Sequence, residues 1–184
     1  MVRLAPRAGR DVTGESGPAP LIVTAELPED LFSWANQLRT EHFPPERNYL
    51  KAHVTLFHAL PPSCEPEVRD CIAAIVRDNP PVPARLCGIM KLGKGTALKL
   101  ESREMIAIWE ELRDRFHGLL TPQDEHKPRL HVTIQNKVSL EEAKALQARL
   151  GPQVQPRDFA FAGLALHYYR GGPWELVKRW RFRG

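Results

Sequence analysis

The sequence predicts an α+β protein built as two related lobes. Three observations carry that expectation. Four amphipathic helices and about seven β-branched or apolar runs are interleaved, but not in strict βαβα order. One unit, a helix, a Pro-containing loop, a strand and a second helix, occurs twice, over about 28–79 and 102–151. Each copy carries the same tripeptide, His-Val-Thr, on its strand.

The chain has 184 residues and a formal net charge of +4. Residues 1–19 are rich in Gly, Pro and Arg without periodicity, and a flexible tail is expected there. A single bilobal domain is expected over 20–184. It opens on a strand, Leu21 to Ala25. Pro28 suits a helix first turn, Leu31, Trp34, Ala35 and Leu38 share a face, and Pro44-Pro45 ends the helix. A strand follows around 52–57. A second helix begins near Pro66, with Val68, Cys71, Ile72 and Ile75 on one stripe, and stops at Pro80-Pro81.

Two strands, near 84–92 and 96–101, flank a Gly93-Lys94-Gly95 turn. A third helix presents Met105, Ile108, Trp109, Leu112 and Phe116. After a polar loop comes the strand 130–134, and Ser139-Leu140-Glu141-Glu142 forms a capping-box pattern opening a fourth helix. Two last strands, near 157–168 and 174–182, flank Gly171-Gly172-Pro173.

Composition excludes several classes. No window approaches the roughly 18 apolar residues of a membrane span. No apolar stretch follows the N-terminal arginines, so no secretory signal is expected. Cys64, Cys71 and Cys87 are odd in number and lack CxxC spacing, which argues against disulfides and structural zinc and for a reduced, cytoplasmic protein. The isoelectric point of about 9.1 is compatible with an anionic ligand.

The repeated tripeptide points to chemistry. Side chains alternate along a strand, so His53 and Thr55 share one face while Val54 and Leu56 share the other. His131 and Thr133 stand likewise against Val132 and Ile134. If the lobes face each other, two His-Thr faces meet across a cleft. Two histidines on opposite sides of a phosphorus can divide acid and base roles near neutral pH. The threonine hydroxyls can bind non-bridging oxygens. A bell-shaped rate profile between about pH 5 and 8 is expected from such a pair. Lys51 and Arg129, two residues upstream of each histidine, are candidate phosphate neutralisers, their side chains placed on the polar face by alternation.

Phe57, Tyr168, Tyr169 and Trp174 are candidates for base stacking, Phe57 foremost because alternation puts it on the His53 face. The alternating charges and rings from Lys178 to Arg183 suit a half-exposed strand and would also suit an extension of an RNA-binding surface. His42, His58, His117, His126 and His167 lack a comparable context and read as structural. No HxH or HExxH pattern is present, so no metal is expected.

The paired HVTL and HVTI resemble the two H-x-T/S-hydrophobic signatures of the 2H phosphoesterase superfamily, within it the bacterial 2'-5' RNA ligase-like branch. The resemblance spans nearly everything after residue 19. It implies two pseudo-symmetric lobes of antiparallel sheet plus helices around a central groove, with His53, Thr55, His131 and Thr133 in that groove. It also implies hydrolysis of a 2',3'-cyclic phosphate, on RNA ends or nucleotides, to a 2'-phosphate. The resemblance further allows a reversible 2'-5' RNA ligase activity that joins RNA ends without ATP. No cofactor is expected, and a monomer is. The alternative is an RNA-end-binding protein with little turnover.

Overall fold

The computed structural model describes residues 18–184. Of the tail expected over 1–19, residues 1–17 lie outside this range. The chain already belongs to the fold just before its first strand: Ala19 is buried, and the Pro20 carbonyl accepts the Tyr169 N–H at 2.9 Å.

Element order is β1 (Leu21–Glu26), α1 (Glu29–His42), β2 (Val54–Leu60), α2 (Glu65–Asp78), β3 (Val82–Lys91), β4 (Thr96–Glu101), α3 (Arg103–Arg115), β5 (His131–Gln135), α4 (Leu140–Leu150), β6 (Arg157–Phe161), β7 (Gly163–Tyr168) and β8 (Glu175–Arg181). All four helices form where the apolar periodicity puts them. Their buried stripes include Leu31, Ala35 and Leu38 in α1, Val68, Ile72 and Ile75 in α2, and Met105, Ile108, Trp109 and Leu112 in α3. The capping box closes at α4: Glu142 N–H donates to Ser139 Oγ at 3.2 Å, and Ser139 N–H to Glu142 Oε2 at 2.8 Å. Ser102 caps α3 by accepting from Met105 N–H at 3.0 Å.

The strands form two four-stranded antiparallel sheets, ordered β2-β1-β7-β8 and β5-β4-β3-β6. The unit β1-α1-β2-α2 thus has its counterpart in β4-α3-β5-α4. Each His-x-Thr strand is the edge strand of its own sheet, beside the strand that opens its unit. The two edge strands approach one another, and α1, which belongs to the first unit, packs on β5 of the second. Buried side chains from both sheets form one continuous cluster, with Phe57, Trp109, Phe116 and Phe161 at its centre.

The run expected as one strand over 157–168 is two. It leaves the second sheet after Phe161 and enters the first at Gly163. Ala162 is the joint: its N–H donates to Glu26 O at 2.8 Å, and its carbonyl accepts from Phe182 N–H at 3.1 Å. A Cβ on Gly163 would lie 2.0 Å from the Trp180 carbonyl oxygen, so only glycine allows β7 and β8 to approach here. The sequence is apolar on both sides of the joint, so hydrophobicity carries no sign of the change of sheet.

Candidate active site

Val54 and Leu56 on β2, and Val132 and Ile134 on β5, are buried, whereas Thr55, His131 and Thr133 are half-exposed. His53, also half-exposed, precedes the first residue of β2. Each histidine is held in the same way. His53 Nδ1 lies 2.7 Å from the Lys51 carbonyl oxygen, and His131 Nδ1 lies 2.6 Å from that of Arg129. A carbonyl only accepts, so Nδ1 carries the hydrogen in both rings and each Nε2 is left to serve as base or, once protonated, as acid.

His53 is pushed down to about 4. Burial is the main cause, opposed by the Lys51 carbonyl, and the positive charges of Arg39, His167 and His131 add to the lowering. His131 is thus among the charges that bear on His53, and the strands of the two motifs, β2 and β5, are in contact.

A cleft of about 660 Å³ runs from Lys51 and His53 across the face of the first sheet. Trp174, from the β7–β8 connection, is tilted against His53 with ring centroids 4.5 Å apart, and lies 5.6 Å from His167. Thr24, paired in register with Thr55, shares a hydrogen bond of 3.1 Å with His167 Nε2. Burial, reinforced by Arg179, pushes His167 down to about 4 as well. Arg39 on α1 is almost completely buried. Its Nη1 donates to the Thr133 carbonyl at 2.6 Å, its Nη2 to Asn48 Oδ1 at 2.8 Å, and its guanidinium sits over Phe43.

Other expected residues stand elsewhere. Lys51 and Arg129 precede their strands, so strand alternation does not place their side chains, which are exposed. Their carbonyls orient the histidines instead, and Lys51 also lines the cleft. Phe57 is no stacking platform. It is fully buried and stacks on Trp109 at 6.1 Å. The cause is a register shift in β2: Thr55 pairs with Thr24 but Phe57 with Val23, so one extra residue, Leu56, reverses the alternation. Tyr168 is turned away from the cleft lining, and its hydroxyl donates to Glu65 Oε2 at 2.7 Å.

The aromatic ring set against His53 in the cleft is Trp174, and His167, read as structural, stands beside it. His58 donates from Nδ1 to the buried Asp124 at 2.9 Å, which also accepts the N–H groups of His58 and Ala59. Among the described residues, no three His, Cys, Asp or Glu side chains converge as a metal-ligand set, and no helix is long and apolar enough to cross a membrane.

No curated protein matches the chain by sequence. Solved structures do match in fold. TT0787 of Thermus thermophilus superposes with a TM-score of 0.63 at 20% identity, over 90% of this chain and 98% of that one. LigT of E. coli complexed with 3'-AMP gives 0.59 at 18%, over 91% and 99%, and LigT complexed with NADP+ gives 0.57 at 19%, over 90% and 98%. The model of the 2'-5' RNA ligase superfamily matches residues 27–173, a span that holds both histidine strands and all four helices. The chain belongs to the 2'-5' RNA ligase superfamily of 2H phosphoesterases.

Proposed function

We propose that this protein hydrolyses a 2',3'-cyclic phosphodiester, at an RNA end or on a nucleotide, to a 2'-phosphate, without a metal ion. The observation that carries the reading is the duplicated histidine geometry: two rings, each fixed through Nδ1–H to the carbonyl two residues upstream, with both Nε2 atoms free. One Nε2 takes a proton from the attacking water. The other gives a proton to O3' as its bond to phosphorus breaks and the 2'-phosphate is left. Each transfer contributes roughly 10²–10⁴-fold. Thr55 and Thr133 supply hydroxyls for the non-bridging oxygens. Lys51, at the rim, and Arg129 add positive charge on the approach. With a 5'-hydroxyl in place of water, the same groups join two RNA ends by a 2'-5' bond, the ligase reaction. The 3'-AMP bound by the E. coli relative supports a nucleotide ligand in this cleft.

The test is hydrolysis of 2',3'-cyclic AMP and of a short RNA ending in a 2',3'-cyclic phosphate, in EDTA, by wild type, His53→Ala and His131→Ala. A 2'-phosphate product, absent with either variant, is expected. Activity that vanishes with the chelator, or that survives both substitutions, overturns the reading. Binding without turnover would favour an RNA-end-binding protein.

A further inference from the structure

The face of the first sheet that carries Thr55 continues well past the histidines. Register sets Thr55 beside Thr24, Thr24 beside Ala165, and Ala165 beside Arg179, one row across all four strands. The neighbouring row is Glu26, Gly163 and Arg181. Gly163 keeps the floor low in the third strand of this sheet, while Arg179 and Arg181 stand exposed on β8, the far edge. The cleft that begins at Lys51 and His53 is lined at its other end by Leu176, Arg179 and Arg181. At about 4.8 Å per strand, the three steps from β2 to β8 cover roughly 14 Å. That is longer than a single phosphate and its sugar.

The charges along this track are ordered. Glu26 is paired with Arg179 at 3.0 Å, and the other carboxylate of the lining, Glu29 at the start of α1, accepts from Ser33 Oγ at 3.0 Å. Lys51 at one end and Arg181 at the other make no ion pair among the described residues. Exposed Tyr49 and half-buried Trp174 add ring faces at the histidine end. A basic groove interleaved with aromatic rings is what holds single-stranded nucleic acid.

We propose that this track is a second subsite, which binds the sugar–phosphate chain of the nucleotide next to the reacting one, with Arg181 on its phosphate. The preferred substrate is then an oligonucleotide end and not a free cyclic nucleotide. The proposal rests on the reading of the histidine pair given above.

The experiment compares kcat/KM for 2',3'-cyclic AMP and for a trinucleotide ending in a 2',3'-cyclic phosphate, using wild type and Arg181→Gln, at several salt concentrations. Wild type should prefer the trinucleotide. The substitution should lower the trinucleotide-to-mononucleotide ratio about tenfold, and the salt slope for the trinucleotide should fall by about 0.7, the share of one single-strand phosphate. A ratio that the substitution leaves alone, or a wild type with no preference for length, overturns the track while leaving the phosphodiesterase reading intact. If neither substrate is turned over, that reading fails and the track is read by binding. Fluorescence anisotropy of a labelled trinucleotide bearing a 2'-phosphate should then weaken about tenfold in Arg181→Gln, and equal affinities overturn it.

Discussion

Replacing Arg39 by methionine should disturb the site far more than the fold. Arg39 is a buried cation whose hydrogen-bond partners are uncharged, the Thr133 carbonyl and the Asn48 amide oxygen. Burial pushes it from 12.5 down to about 10. At 1.36 kcal/mol per unit, this shift costs the folded state about 3 kcal/mol. Its two bonds return roughly 1.5–3 kcal/mol each. Methionine loses both bonds but removes the desolvation penalty and packs its chain where the arginine stem lay. The balance is a destabilisation of about 0–3 kcal/mol, or at most roughly 10 °C in Tm for a protein of this size.

The site loses more. Arg39 ties α1 to the backbone of the second motif, and its charge helps hold His53 low. The variant should therefore melt within that range, lose most activity, and show His53 titrating higher by NMR. Arg39→Lys, which keeps a charge but not the two-pronged grip, should restore only the titration. A fall in Tm well beyond about 15 °C, or an unmoved His53, would refute the reasoning.

Two further outcomes follow from burial and titration. His53 and His167 sit near 4 when folded and near 6.5 when unfolded, so between these values the unfolded chain binds protons that the folded one refuses. Stability should be full above about pH 6.5, fall as pH drops to about 4, and level off for these groups below that, by up to about 3 kcal/mol each. Urea midpoints that match at about pH 7 and 4.5 would contradict this. Phe57→Ala should cost about 3–5 kcal/mol, since the ring is wholly enclosed against Trp109; a stability within about 1 kcal/mol of wild type would return Phe57 to the ligand contacts.

What the sequence disclosed was whatever depends on local period. The helix stripes, the capping box at Ser139 and the in–out alternation of Val54-Thr55-Leu56 and Val132-Thr133-Ile134 all follow from residue spacing. What it hid depends on pairing between distant strands. The extra residue opposite Thr24 and Val23 turns Phe57 inward, and nothing in AHVTLFHAL announces it. The change of sheet at Ala162 is set by backbone contacts to Glu26 and Phe182, with Gly163 as the sole local trace. Arg39 reads as an ordinary cation in the last turn of a helix, suited to the dipole. Only tertiary packing reveals it as a buried brace. His167 and Trp174 enter the site because β7 lies two strands from β2, a neighbourhood that chain order does not show.

Duplication accounts for the symmetric part of the site and not for the rest. The two Nδ1-to-carbonyl contacts are copies. The surroundings of His53 are not: His167 lies on β7 and Trp174 between β7 and β8, outside both repeated units, and Arg39 reaches Thr133 from α1. The proposed acid–base pair needs its members held at different protonation, and unequal surroundings are how matched side chains acquire it. Trp174 is the part of that asymmetry that can be removed without touching a hydrogen bond. Its ring shields His53 from water, and desolvation is the largest cause of the low value. Trp174→Ala should raise His53 from about 4 toward 6.5, moving one limb of the kcat/KM profile up with it, whichever role His53 plays. Tm should change little, since the ring sits at the rim of the cleft and not in the core. A profile with both limbs unmoved would mean that the polypeptide around His53, and not the indole, keeps it dry.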